Sequence, residues 1–299
     1  MIAITNHAVQ QKMIVALFFL LSLCIRAQTT YTGFIDKYPI EFVTDISSDD
    51  SGSAIYAYSN YDTPIEIRGT LKKKVLTFFE KDKSGKETAK MTFENFNPKA
   101  TKIEGTWLDL TTKKELKITL SKISAIDNGP SAEWKNREIL QPVSLKGKYF
   151  KLMVSKTKGD FYAKVTGVKI LEKKTDKLLQ QFDLDCQLWG LNNISIDDYN
   201  FDGIEDFSVF EASAAGPNTT SLYFLYDPKT QKYFESSFSG TSLEFDSKTK
   251  RISEYNQCCA GASQMNAVYK VVNNKMVLIK QTCLQLDIKS GELKKVKCD

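Results

Sequence analysis

One short stretch of the chain places oxygen-bearing side chains at alternate positions, an arrangement that binds a hard cation. It follows the pattern D-x-N-x-D-G-x-x-D, formed by Asp198, Asn200, Asp202, Gly203 and Asp206. Ca²⁺ binds several carboxylate, amide and carbonyl oxygens, and a glycine lets the backbone turn sharply around the ion. The sequence therefore predicts a calcium site with the three aspartates and Asn200 as side-chain ligands.

The backbone carbonyl of Ile204 is predicted as a fifth ligand. The loop is not an EF-hand, because the twelfth position, where that motif needs a bidentate Glu, is Val209. β-branched and aromatic residues at period two flank the loop, which indicates strand–loop–strand rather than helix–loop–helix. The alternative interpretation is a hairpin turn without a metal, since Asp, Asn and Gly also favour turns.

The composition excludes several classes of function. The only histidine is His7, which lies in the predicted leader. A mature chain without histidine forms no Ser-His-Asp or Cys-His catalytic group and no usual zinc site. Outside the calcium loop, no acidic pair suited to glycoside cleavage stands out from ordinary surface charge. The net charge of +5 is dispersed, which argues against nucleic acid as a partner. We therefore expect a binding protein and not an enzyme.

The N-terminal residues have the features of a secretory signal peptide. Lys12 precedes an apolar run over residues 13–25, and a small residue, Ala27, follows. We predict a leader over residues 1–27, with a lipoprotein site at Cys24 as the alternative. The run is too short for a membrane span, so no transmembrane segment is expected after cleavage. The predicted location is periplasmic or secreted, in a Gram-negative bacterium.

The cysteines that follow the leader all lie in the second half of the chain. They are Cys186, Cys258, Cys259, Cys283 and Cys298. Disulfides are the default in an exported protein, and an odd count leaves at least one thiol unpaired or paired between molecules. Cys283 and Cys298 flank a Ser-Gly turn signal and form a plausible bridge. Cys258 and Cys259 can bridge to each other, or hold their loop to Cys186.

The pattern of short strands predicts an all-β protein with two domains. Over residues 28–124, regularly spaced strands and tight turns predict an antiparallel β-barrel or sandwich. Residues 125–140 break the pattern and are predicted as a linker. Residues 141–299 show strands without a helical period, which predicts a β-propeller-like or antiparallel β domain that carries the calcium loop.

The calcium loop between strands resembles the cation loop of integrin-type FG-GAP repeats, which hold Ca²⁺ between β-propeller strands. The order of segments over roughly residues 145–282 resembles bacterial periplasmic β proteins that bind Ca²⁺ and inhibit lysozyme-type peptidoglycan hydrolases, some of them as immunity proteins. The segments that carry this second likeness, besides the loop, begin at Leu178 (LLQQ), Tyr226 (YDPKTQK), Val268 (VYKV) and Met276 (MVLI).

The resemblance implies a protein partner, a peptidoglycan hydrolase, and a Ca²⁺-stabilised scaffold. The S-G-x-x-Y string of invertebrate-lysozyme inhibitors does not occur. The candidate contact segments are two loops of small residues, 214–218 and 258–264. The alternative function is an exported carbohydrate- or surface-binding module with structural calcium, in which Trp107, Trp134 and Trp189 supply stacking platforms.

Overall fold

A computed structural model describes residues 27–214 and 217–298 of the chain. Residues 1–26 of the predicted leader lie outside the described residues, as do Ala215 and Gly216 of the first contact segment and Asp299. The described residues form strands and one 3₁₀ turn, which confirms the all-β class. None of them forms an apolar helix of the length needed to span a bilayer.

The first eight strands close into a barrel, the first of the two arrangements predicted for this part of the chain. Each strand pairs with its successor, and β1 pairs antiparallel with β8. The strands are β1 (Ala27–Ile35), β2 (Tyr38–Ile46), β3 (Ser51–Tyr58), β4 (Ile65–Lys72), β5 (Val75–Lys81), β6 (Glu87–Phe93), β7 (Lys102–Asp109) and β8 (Glu115–Ala125).

Alternate side chains of these strands fill the barrel interior. The ring of Phe42 is fully buried, and its centroid lies 6.0 Å from that of Phe78 and 5.9 Å from that of Phe93. Gly69 lets β4 and β5 approach closely, because a Cβ there would lie 1.7 Å from the carbonyl oxygen of Thr77. The period-two pattern of the sequence thus determines which side chains form the core.

The remaining strands form three antiparallel sheets in succession. Strands adjacent in sequence are neighbours in every sheet, and such meanders are the repeating element of the predicted propeller-like class. The first sheet comprises β9 (Trp134–Leu145), β10 (Lys148–Lys156), β11 (Lys164–Glu172) and β12 (Leu178–Gln187). The second comprises β13 (Ile194–Asp197), β14 (Asp206–Ser213), β15 (Thr219–Asp227) and β16 (Lys232–Glu235). The third comprises β17 (Glu244–Asp246), β18 (Arg251–Cys258), β19 (Ser263–Val272), β20 (Lys275–Asp287) and β21 (Glu292–Val296), with the 3₁₀ turn Cys259–Gly261 before β19.

Aromatic side chains of the first two of these sheets share one core. Phe207 of β14 and Phe224 of β15 are paired across the strands, and their rings stack with centroids 4.6 Å apart. Phe150 lies 5.1 Å from Phe207, and Phe182 lies 4.7 Å from Phe224. Phe207 directly follows Asp206, so the last predicted calcium ligand begins a strand that is anchored in this core.

The boundary between the two units lies within the predicted linker, but the irregular segment is shorter than predicted. Strand β9 begins at Trp134, so the second half of the predicted linker, which was to reach residue 140, is a strand. Ile139 and Leu140 are buried there and pair with β10. The sequence pattern did not predict this strand, because polar residues precede Ile139 and Leu140. By internal contacts the chain divides into one unit that ends at Ile126 and a second that contains Ala57–Ile65 and the residues from Asp127 onward.

The disulfide between Cys283 and Cys298 is present, as predicted. The register of the last hairpin pairs Cys283 with Val296, so Cys298 reaches its partner from just beyond the end of β21. Cys186 is buried and unbonded, whereas Cys258 and Cys259 are exposed and unbonded. The structure therefore contains no bridge from Cys186 to the loop of Cys258 and Cys259.

Candidate metal centre

The predicted calcium loop connects β13 to β14 at one end of the second sheet. Asp197 and Asp206 are the last paired residues of this hairpin, so residues 198–205 project beyond the paired strands. The flanks are strands, as the sequence predicted. Ile196 pairs with Phe207 in the same hairpin, which ties both ends of the loop to the core.

Two aromatic side chains anchor the loop. Tyr199 and Phe201 are 5% and 7% exposed and belong to a buried cluster with Tyr223. The ring of Tyr199 lies 4.9 Å from that of Tyr223 and 4.7 Å from that of Phe245. Burial of a large apolar side chain contributes roughly 1.5–3 kcal/mol. The aromatic positions 199 and 201 thus alternate with the oxygen-bearing positions 198, 200 and 202.

Side-chain oxygens of the loop accept hydrogen bonds from its own backbone. The carboxylate of Asp198 accepts from the N–H groups of Asp202 and Gly203, at 2.9 and 2.8 Å. Asp202 Oδ1 accepts from the N–H of Ile204 at 2.9 Å. Asn200 Oδ1 accepts from the N–H of Asp202 at 3.1 Å, and Asn200 Nδ2 donates to Asp202 Oδ2 at 2.9 Å. Four of the five predicted ligand residues therefore belong to one hydrogen-bond network.

The turn of the loop depends on left-handed backbone at two residues. Gly203 has φ of 89°, which L-residues rarely adopt, although no atom within 4 Å would obstruct a Cβ. Phe201 has φ of 63°, and a left-handed conformation costs a residue other than glycine roughly 1–2 kcal/mol. The burial of the Phe201 ring offsets that cost.

Asp206 is fully buried and connects the loop to β15. Its Oδ2 accepts from the N–H of Tyr199 at 3.0 Å, and its Oδ1 accepts from the N–H of Tyr226 at 2.8 Å. Burial raises the pKa of the Asp206 carboxyl to about 7, although these backbone hydrogen bonds act in the opposite direction. Asp206 thus has a structural role in addition to its predicted role as a ligand.

Further contacts to the loop come from residues that the sequence analysis did not single out. Asn274, in the turn between β19 and β20, accepts from Asn200 Nδ2 at 3.1 Å. Lys250, in the turn between β17 and β18, donates to the carbonyl oxygen of Phe201 at 3.1 Å. Turns of the third sheet therefore hold the calcium loop. Their local sequences indicate turns but carry no signal for this long-range contact.

The donors of the loop suit a hard divalent cation. They are carboxylate and amide oxygens, and within the described residues none of Asp198, Asp202 and Asp206 forms a salt bridge. A divalent cation would balance the charge of these carboxylates. In the part of the chain that the structure describes, no three or more His, Cys, Asp or Glu side chains are grouped to hold a metal. The calcium site therefore stays a prediction, in which Asn200 and the Ile204 carbonyl complete the donor set.

Asn218, the last residue of the first predicted contact segment, is bonded to Gln257, the residue just before the second segment. Asn218 Nδ2 donates to the carbonyl oxygen of Gln257 at 2.6 Å, and Asn218 Oδ1 accepts from the N–H of Gln257 at 3.1 Å. The amide group thus pairs with the backbone as a neighbouring strand would. Ala262, in the second segment, is fixed to β20 because its carbonyl oxygen accepts from the N–H of Leu286 at 2.7 Å. Segments that are distant in sequence are therefore joined directly.

Sequence analysis missed a third loop, residues 157–163 between β10 and β11, which we call the aromatic loop. Phe161 and Tyr162 are 76% and 65% exposed, and their rings meet edge to face with centroids 4.6 Å apart. Tyr162 is of a residue type that favours strands, but β11 begins only at Lys164. A strand-forming residue type and an exposed contact residue are not distinguishable by pattern alone.

A buried lysine stabilises the conformation of the aromatic loop through hydrogen bonds. Lys156 is 1% exposed, and its ammonium group donates to the carbonyl oxygens of Thr157, at 3.2 Å, and Asp160. At the other end of the loop, the N–H of Ala163 donates to Asn128 Oδ1 at 2.8 Å. A buried ammonium group needs such partners, so the loop conformation and the buried lysine stabilise each other.

A polar groove of about 420 Å³ lies on the sheet that carries the aromatic loop. Ser155 and Thr166 share a hydrogen bond between their hydroxyl groups at 3.0 Å inside it. Thr157, the first residue of the aromatic loop, also lines the groove. The other lining residues are Lys135, Asn136, Met153, Lys156, Gln181 and Asp183. The groove presents hydroxyl, amide and charged groups, with Met153 as its one apolar side chain.

No known protein family matches the sequence, and no curated protein is similar to it. Among solved structures, a Xanthomonas type IV secretion system related protein is similar over 92% of this chain and 100% of its own, at 11% identity and a TM-score of 0.26. The β-propeller domain of the trilobed protease from Pyrococcus furiosus is similar over 91% of this chain and 86% of its own, at 11% identity and a TM-score of 0.25. At these scores we take no function from either protein.

Proposed function

We propose that the chain is an exported, calcium-stabilised β protein that binds and inhibits a peptidoglycan hydrolase of the lysozyme type. The target class rests on the sequence resemblance over roughly residues 145–282. The observation that best supports a binding role is the aromatic loop, which exposes Phe161 and Tyr162. Aromatic side chains are enriched at protein interfaces and supply many of the residues that dominate affinity.

The fixed conformation of the aromatic loop supports inhibition in particular. A loop that enters an enzyme cleft loses less conformational entropy when it is already ordered, by about 0.5–1.5 kcal/mol for each side chain that would otherwise be immobilised. Lys156 and Asn128 hold the two ends of the loop. The joined segments around Asn218 and Gln257 offer a second ordered surface on the same unit.

The proposed role of Ca²⁺ is to stabilise the scaffold and not to take part in chemistry. The calcium loop lies in the second unit, and Tyr199 and Phe201 embed it in the core of that unit. An ion bound by Asp198, Asn200, Asp202, Ile204 and Asp206 would stabilise the folded state through linkage, since the unfolded chain offers no formed site.

The test measures whether the purified chain slows the lysis of cell walls by each member of a panel of lysozymes and muralytic effectors. We expect the wild type to inhibit at least one of them, and a Phe161→Ala/Tyr162→Ala variant to bind that enzyme at least ten-fold more weakly. Ile288→Ala is the matched control, because Ile288 is a 93% exposed apolar residue elsewhere on the same unit. Undiminished lysis across the panel would reject the proposal.

The second candidate function, carbohydrate binding, is favoured by the polar groove. Paired hydroxyl groups and exposed amides suit the hydroxyl groups of a sugar, and the neighbouring aromatic loop supplies rings for stacking. Of the three predicted Trp platforms, Trp189 is 60% exposed, whereas Trp107 donates its indole N–H to Glu80 at 2.6 Å. Binding to a glycan array that is lost in Ser155→Ala and retained in Ile288→Ala would favour this function.

A further inference from the structure

Cys258 and Cys259 form an exposed pair of thiols at the end of β18. Their Sγ atoms lie 2.8 Å apart, which is close contact but longer than the roughly 2.05 Å of a disulfide bond. Cys259 and Ala260 have φ of 59° and 55°, and Gly261 follows at 86°. These left-handed residues turn the chain back on itself, beginning at the second cysteine of the pair.

The other cysteines of the described residues are not available to form a disulfide with either member of this pair. Cys283 and Cys298 are bonded to each other. Cys186 is 2% exposed, and burial raises the pKa of its thiol to about 12, so it is neither accessible nor ionised near neutral pH. Within the described part of the chain, each thiol of the pair therefore has the other as its nearest reaction partner.

We propose that Cys258 and Cys259 are a thiol–disulfide exchange site that closes to a vicinal disulfide when it meets an external disulfide. The thiolate of one cysteine attacks the external disulfide, forms a mixed disulfide and releases the first external thiolate. The second cysteine then attacks the sulfur of the first, which closes the vicinal bond and releases the second external thiolate. The external disulfide accepts the two electrons, and the two thiol protons pass to the released thiolates.

Hydrogen bonds hold the residues on both sides of the pair. Gln257, immediately before the pair, is fixed by Asn218, and Ala262, just after it, is fixed by Leu286. The hydrogen bond and charge of Cys258 raise the pKa of Cys259. The oxidised turn would stiffen one of the two predicted contact segments. This site does not depend on the proposed function.

The test is peptide mapping of the exported chain after incubation with oxidised glutathione under native conditions. Remaining thiols are blocked with iodoacetamide before trypsin digestion, which places the pair in peptide 252–270 with no other cysteine. We expect this peptide to lack both thiol hydrogens and to carry neither glutathione nor a carbamidomethyl group. After reduction, the same peptide should accept two carbamidomethyl groups.

The single-cysteine variants show whether the wild-type peptide stays unlabelled because a disulfide has formed or because the reagents do not reach its thiols. Cys258→Ser and Cys259→Ser should each retain one glutathione, because the second thiol that would displace it is missing. Cys186→Ser should behave as the wild type. Two alkylated thiols in the wild-type peptide after incubation would overturn the proposal. A glutathione adduct that persists there, or a crosslink to Cys186 or to a second chain, would do the same.

Discussion

At the scale of single residues, the carboxylate of Asp206 has one structural role and one proposed role as a ligand. It satisfies the backbone N–H groups of Tyr199 and Tyr226, and it is also the residue that would close the calcium shell. Each carboxylate oxygen has two acceptor positions, so one backbone hydrogen bond per oxygen leaves room for a cation. A buried carboxylate with no cationic partner is costly, which is the physical reason to expect an ion there.

We predict that Asp206→Asn lowers the free energy of unfolding by about 1–3 kcal/mol, even in the presence of chelator. An amide has one acceptor oxygen, so one of the two buried N–H groups would face an NH₂ group and lose its partner. Urea denaturation with EGTA measures this change. The matched control is the exposed neighbour Glu205→Gln, which should change stability by less than about 0.5 kcal/mol. Equal stability of the two variants would contradict the structural role of Asp206.

The raised pKa of Cys186 gives a pH-dependent prediction. Burial favours the neutral thiol, and the charges of Glu211 and Asp185 add to the effect, so the thiolate becomes abundant only near pH 12. In a Cys258→Ser/Cys259→Ser background, the ¹³C chemical shift of the native Cys186 Cβ should stay at the thiol value up to at least pH 10. In the urea-unfolded chain the same resonance should titrate near the ordinary thiol pKa of about 8.5. A titration midpoint near pH 9 in the native protein would disprove the shift.

At the scale of elements, hairpins carry both proposed binding features of the second unit. The calcium loop joins β13 to β14, and the aromatic loop joins β10 to β11. The strand–loop–strand form of the first was predictable because residue type, spacing and glycine are local properties of the sequence. The second was not, because the burial of Lys156 and the exposure of Phe161 are consequences of the assembled sheet.

We predict that Lys156→Met frees the aromatic loop while the sheet remains folded. Methionine fills much of the same space but leaves the carbonyl oxygens of Thr157 and Asp160 without their donor, at a cost of about 1–3 kcal/mol. Hydrogen exchange of amides in residues 157–163 should accelerate. Lys158→Met, at an exposed position of the same loop, is the control and should leave exchange unchanged. Equal protection in both variants would show that Lys156 does not order the loop.

At the scale of the whole molecule, the chain consists of a closed barrel unit and a unit of three successive sheets. Period-two alternation and turn signals predicted the all-β class and a barrel or sandwich over residues 28–124, because strands joined by tight turns pair with their sequence neighbours. The start of β9 was missed because polar residues precede Ile139 and Leu140. Contacts such as Lys250 with Phe201 cross between sheets, and no local pattern encodes them.

This division predicts that removal of Ca²⁺ affects the two units unequally. The calcium loop and the aromatic cluster that anchors it belong to the second unit. Treatment with EGTA should accelerate amide exchange in β13, β14 and the calcium loop, because opening there no longer requires release of the ion. Exchange in β1–β8 should stay the same. Equal acceleration in the barrel would contradict a local stabilising role.

The most direct test of the proposed calcium-stabilised scaffold is calorimetric titration of Ca²⁺ into the metal-stripped chain from Gln28 onward, together with its melting temperature. We predict one bound ion, a higher melting temperature with Ca²⁺, and loss of both effects in Asp202→Ala but not in Glu205→Ala. If the wild type showed no heat of Ca²⁺ binding and EGTA left its melting temperature unchanged, the proposed calcium site would be contradicted.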